Sequence, residues 1–256
     1  MSDPDRAARP TGARPPAVAG LFYPGGAAEL RATVDRLLGE ADAVAPGPME
    51  RSGARLAGIL VPHAGLVYSG LVAAAAWRLL RAAPSDDAAT PTVVILGTNH
   101  GTPWLSGVGA WDGGPWRTPL GDVAVDAGLV RDVIGLGRPF AADSACHQGE
   151  HSIEVQVPFL QAVAPRARIV PLSVGAGTGE RAIEAGERLG RLLAERLAAG
   201  APIVLAVSTD MAHYPRAAVA ERITATLLPH ILSVDPAGLA AAEALVRREE
   251  PRTSCG

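Results

Sequence analysis

Apolar residues are spaced along this chain in short runs separated by polar, Gly- and Pro-rich text. Four runs, Leu56 to Val61, Thr92 to Gly97, Arg168 to Val174 and Ile203 to Ser208, are nearly continuous and rich in Val, Ile and Leu, the pattern of strands buried on both faces. Between them the period lengthens to that of a helix. Leu30, Val34, Leu37 and Leu38 fall on one face. An Ala-rich helix is predicted from Ser69 to Ala82 with Ser69 as its N-cap, a short one around Leu129 to Ile134, and a long one from about Thr178 to Ala199. His151 to Val163 reads as a helix bent at Pro158, and two more helices follow at Arg216 to Leu232 and Pro236 to Arg247. Trp104 to Ala110, the turn at Asp112 to Gly114 and the extended WRTPLGDVAV stretch predict a hairpin excursion. Strands alternating with helices predict an α/β fold on a mainly parallel sheet.

Two stretches lack any period. Met1 to Pro16, rich in Pro, Arg, Ala and Asp, reads as a disordered tail, and Glu40 to Ala54 as a Pro/Gly linker; residues 17–256 then form a single domain. With 256 residues, 48% of them hydrophobic, the chain can bury one sizeable core. The net charge is -3 and all 23 basic residues are Arg, with no basic cluster interleaved with aromatics, so no nucleic-acid surface is expected. No run of about 18 apolar residues and no signal-peptide core occurs, which predicts a cytoplasmic protein that does not enter membranes. The two cysteines, Cys146 and Cys255, fit neither a CxxC pair nor a zinc-knuckle spacing.

Candidate chemistry gathers where strands end, because open α/β sheets place ligands beyond the carboxyl ends of their strands. The first strand runs through ILVPHAGLVYSG into His63, the second into Asn99 and His100, and the fourth into Asp210 and His213. Neutral imidazole is the commonest transition-metal ligand, so His63 and His100 are a candidate pair; each also reads as an ordinary turn histidine, beside Pro62 and between Asn99 and Gly101. Asp210 could set the tautomer of His213 as part of an acid/base pair, or cap a helix. Ser208 with Asp210 and His213 makes a hydrolase trio on paper, without a G-x-S-x-G elbow. In GEHSIE, His151 and Glu154 are three apart and share a helix face; with Glu150 they could supply acid/base groups or hydrogen bonds behind a metal, or a surface ion pair. His147 in a polar loop and His230 on a late helix read as structural. GAGTGE at Gly175 to Glu180 has the wrong spacing for a dinucleotide fingerprint and reads as a tight turn.

The segments VAGLFYP, VPHAGLVYSG, ILGTNHG, WRTPLG, GEHSIEVQVPFL, VSTDMAH and TSCG, in that order over residues 18–256, resemble the Memo family, called AmmeMemoRadiSam system protein B in prokaryotes. The resemblance implies a fold similar to the class III extradiol dioxygenases, a mixed sheet flanked by helices with iron at its edge. It places metal ligands on His63, His100 and Cys255, the pocket Asp and His on Asp210 and His213, and His151 and Glu154 nearby. A thiolate in place of the dioxygenase carboxylate favours Fe(II) or Cu, so ring cleavage does not follow from the fold. Relatives are expected to continue beyond Cys255 and Gly256, so the chain reads as shortened at its C-terminus.

The function implied is that of a metal-dependent redox protein, iron being the expected metal and copper or zinc the alternatives. Two rivals stand beside it: a non-enzymatic module that binds a peptide or a partner from a radical-SAM system, and a metal-independent hydrolase built on Ser208, Asp210 and His213.

Overall fold

The computed structural model describes residues 11–44, 56–81, 90–175 and 180–250. The chain runs α1 (Ala27–Val44), β1 (Gly58–Val61), α2 (Leu66–Trp77), β2 (Thr92–Thr98), β3 (Val108–Ala110), β4 (Trp116–Thr118), β5 (Gly121–Val123), α3 (Ala127–Gly135), β6 (Phe140–Ala142), α4 (Val157–Val163), β7 (Arg168–Val174), α5 (Glu180–Ala198), β8 (Ile203–Ser208), α6 (Ala217–Leu232) and α7 (Pro236–Glu249). Six strands form one sheet in the order β1-β8-β2-β7-β3-β6, while β4 and β5 form a separate antiparallel pair. The first four are parallel; β3 runs antiparallel to β7 and parallel to β6. The fold is therefore α/β with a mixed, mainly parallel sheet.

Helices on both faces explain the continuous apolar runs of β2 and β7, whereas β1 at the sheet edge buries only Ile59 and Val61 and leaves Leu60 exposed. Along β2, Val93 and Ile95 enter one core with Leu30, Val34 and Leu37 of α1 and Ala73 and Trp77 of α2. Val94 points the other way, into a second core with Val130 and Val133 of α3 and Leu189 and Leu193 of α5. Helices α6 and α7 close a small core of their own around Ile223, Leu227 and Ala242. Among the described residues, no helix is long and apolar enough to cross a membrane.

Several expectations are corrected. Helix α2 begins at Leu66 after Gly65, and Ser69 lies inside its first turn, where its Oγ donates to the Ala64 carbonyl rather than capping. Ser69 is the first residue of the capping type in LVYSGLVAAAAW, whereas the true start at Leu66 follows Gly65, which offers no side-chain cap. Pro158 sits in the first turn of α4, where no amide proton is needed, so it starts that helix instead of bending a longer one. Helix α1 runs on to Val44, into the stretch read as linker, and residues 45–55 lie outside the described residues. The tail reading fails at Arg14, which is 1% exposed and pairs with Glu154; residues 1–10 lie outside the described residues. His147 belongs to no polar loop: it is fully buried between Trp111 and Trp116, and burial lowers its pKa to about 3. Gly175 is required by close approach, since a Cβ there would lie 2.1 Å from the Leu105 carbonyl oxygen; the glycine-turn residues 176–179 lie outside the described residues.

Candidate metal centre

Register places the site. Val61 of β1, Ser208 of β8 and Gly97 of β2 lie side by side near the carboxyl ends of three neighbouring parallel strands. His63 follows the first by two residues, Asp210 the second by two, and His100 the third by three, so three strand exits open on one edge.

His151 arrives at this edge from a different part of the chain. The segment Glu150 to Ile153 lies across the end of β2, where Ser152 Oγ donates to the Thr98 carbonyl at 2.7 Å. It can do so because residue 97 is glycine: a Cβ there would meet Ile153 Cγ1 at 2.4 Å and Ser152 Oγ at 2.5 Å. His151 thereby stacks on His100 with ring centroids 4.4 Å apart, and both meet the His63 ring edge-on at 5.5 and 5.1 Å. The Phe22 ring lies 4.6 Å from His151 on its other side. One ring nitrogen from each of His63, His100 and His151 lies within 4.8 Å of the other two.

Glu150 holds two of these imidazoles. Its Oε1 accepts from the His151 and Ser152 amides, each at 2.9 Å, and contacts His100 Nδ1 at 2.9 Å; Oε2 accepts from the His100 amide at 2.6 Å. Burial alone would raise this carboxyl, but the His100 ring and the His100 and Ser152 amides outweigh it and hold the pKa at about 2. An ionised carboxylate only accepts, so His100 Nδ1 is the donor and Nε2 is the nitrogen that could hold a metal. His151 Nδ1 lies 3.3 Å from the same oxygen. Burial, helped by the neighbouring His100 and His63, lowers the His151 pKa to about 4, so the ring is neutral at pH 7. Imidazoles steered by a carboxylate behind them fit a transition-metal ion.

His63 is 1% exposed; its amide donates to Asp210 Oδ1 at 2.8 Å and its Nδ1 contacts Ser208 Oγ at 3.0 Å. Asp210 Oδ2 lies 3.9 Å from His63 Nε2 and 3.7 Å from His213 Nε2, so this carboxylate stands between the two rings. It caps no helix, because α6 starts seven residues later, after Arg216.

Glu154 is engaged elsewhere. Residues 154–156 form a short 3-10 turn and α4 begins only at Val157, so Glu154 does not share a helix face with His151. Its Oε2 accepts from Arg14 Nη1 at 2.6 Å and the Ala17 amide at 2.8 Å, and its Oε1 from the Val18 amide at 2.9 Å and the Tyr23 hydroxyl at 2.6 Å. It fastens residues 14–23 to the body of the protein. Ser208 is 2% exposed and donates to the Ser152 carbonyl at 2.7 Å, and its imidazole neighbour is His63 rather than His213, so the hydrolase trio presents no exposed nucleophile. Cys255 lies outside the described residues. Sequence reasoning missed the membership of His151 in the histidine cluster and the buried contacts of Gln156; no spacing signals either, since both depend on how a loop crosses a strand end.

A family model described as "Memo-like protein" matches residues 14–256. A MEMO1 family protein of Thermotoga maritima is 37% identical over 251 residues, covering 95% of this chain and 84% of that protein. Another from Methanothermobacter thermautotrophicus is 34% identical over 88% of this chain and 79% of its own length, and one from Metallosphaera sedula 37% identical over 78% and 70%.

Proposed function

We propose, from the premise that this chain belongs to the Memo-like protein family, that it is a metal-dependent redox protein whose centre is built on His63, His100 and His151. The observation that carries this reading is the cluster of three imidazoles at one sheet edge, backed by Glu150 and Ser208. Iron is the proposed metal and copper or zinc the alternatives, since nitrogen donors suit all three. Cys255 is retained as a further, softer ligand on the strength of the family resemblance.

Once bound, iron would supply a Lewis acid and a one-electron centre. The chain's own residues do the rest. Glu150 keeps two rings aimed at one point, and Phe22 walls His151 from one side. His213, a third exposed and with Nε2 3.7 Å from Asp210 Oδ2, is proposed to take up or deliver a proton at Nε2.

The test is oxygen uptake by Fe(II)-loaded protein with a panel of reductants, alongside anaerobic Fe(II) titration of Cys255→Ser. Metal-dependent uptake, abolished in His63→Ala, is the expected result, together with an affinity at least roughly tenfold weaker in Cys255→Ser, about 1.4 kcal/mol. Equal affinity would remove Cys255 from the ligand set. Absence of uptake with metal bound would favour the alternative of a module that holds a peptide or a radical-SAM partner, a reading supported by exposed Val67 and Tyr68 on α2 just beyond His63.

A further inference from the structure

Behind His63 lies a chain of buried side chains whose hydrogen bonds have only one consistent direction. The Trp77 indole can only donate, and its Nε1 meets Gln156 Oε1 at 2.8 Å. The Gln156 amide nitrogen must therefore face the other way, where it donates to the Pro62 carbonyl at 2.8 Å and to Ser208 Oγ at 3.0 Å. Ser208 has a single proton. Its oxygen lies 2.7 Å from the Ser152 carbonyl oxygen, which can only accept, so the proton lies between those two oxygens. The remaining contact of Ser208 Oγ is with His63 Nδ1 at 3.0 Å, and only the imidazole can supply the proton for it. No bridging water fits between partners 2.7 to 3.0 Å apart, and all four side chains are buried.

We propose that Ser208, oriented by Gln156 and Trp77, is a positioning residue that fixes His63 as its Nδ1–H tautomer and keeps the lone pair on Nε2. An imidazole in water favours the opposite tautomer, with the proton on Nε2. The Asp210 carboxylate, 3.9 Å from Nε2, also favours a proton there, so the relay works against both tendencies. A protonated Nε2 cannot bind a metal, whereas its lone pair can. Ser208 at the end of β8 thus sets the ligand state of a histidine on a neighbouring strand exit, much as Glu150 does for His100. The consequence for metal binding rests on the proposed metal centre; the tautomer itself does not.

The two are separated by measuring metal-free, 15N-labelled protein at pH 8 in long-range proton–nitrogen correlation spectra, with the His63 signals assigned by their loss in His63→Gln. The expected result is an Nδ1–H ring at His63 in the natural protein and in Ser208→Thr, which keeps the hydroxyl, and a shift toward Nε2–H in Ser208→Ala. Zn(II) affinity, read by competition with a chelator, should fall about 10- to 100-fold in Ser208→Ala and recover in Ser208→Thr. An Nε2–H ring at His63 in the natural protein overturns the inference; so does an unchanged tautomer in folded Ser208→Ala. If the tautomers are as expected and the natural protein binds no Zn(II), the positioning role stands and the metal reading fails.

Discussion

Replacing Glu154 by Ala should lower the stability of this protein by about 3–5 kcal/mol, the usual cost of leaving one member of a buried ion pair without its partner. The carboxylate is fully buried and Arg14 is 1% exposed, and the two meet at 2.6 Å. Losing it also strips an acceptor from the Ala17 and Val18 amides and from the Tyr23 hydroxyl, whose pKa burial and the adjacent carboxylate raise far above its usual value. Against a typical total of about 5–15 kcal/mol, this would leave a marginal fold. The damage should reach the site, because Arg14 also donates to the His147 and Glu150 carbonyls, each at 2.7 Å. Urea unfolding of Glu154→Ala, Arg14→Ala and the double variant would measure it. The double variant should be less destabilised than the sum of the two; a loss below about 1 kcal/mol in Glu154→Ala would show that solvent reaches the pair.

Glu150→Gln should weaken metal binding by at least about 10- to 100-fold while leaving the chain folded, since partners that orient ligating histidines typically matter by that factor. Both oxygens of Glu150 are taken by donors: the His100 amide on one, and on the other the His100 ring with the His151 and Ser152 amides. A glutamine must turn its NH2 group toward one of these sets, setting donor against donor. Either way an arm carrying His100 or His151 moves. The comparison is an anaerobic Zn(II) competition titration of the two proteins, with circular dichroism as the control for folding. Unchanged affinity would mean that Glu150 orients neither ring toward an ion.

Much of this was legible in the chain before the fold was known. The runs Arg168 to Val174 and Ile203 to Ser208 predict β7 and β8 with the bounds they have, because a strand covered on both faces is an uninterrupted apolar run bounded by turn residues. The placement of His63, His100 and His213 at strand exits follows from the same reading. Strands β3 and β6, of three residues each, were not legible as sheet members, because so short a piece carries no period and owes its place to its neighbours. Arg14 was hidden for another reason. One buried arginine in Pro-rich text looks like tail, and only the position of Glu154, far along the chain, makes it part of the core. His151 and Glu154 were expected to act together on one helix face, but the helix starts later, so one side chain turns to the histidine cluster and the other to the N-terminal segment.

The most direct test of the metal centre is elemental analysis of protein purified anaerobically from iron-replete cells, comparing the natural chain with His63→Ala/His100→Ala. About one transition-metal ion per chain, with iron predominating, and its loss in the double variant is the expected result. A natural chain that carries no metal, or a folded double variant that carries as much as the natural chain, would contradict it.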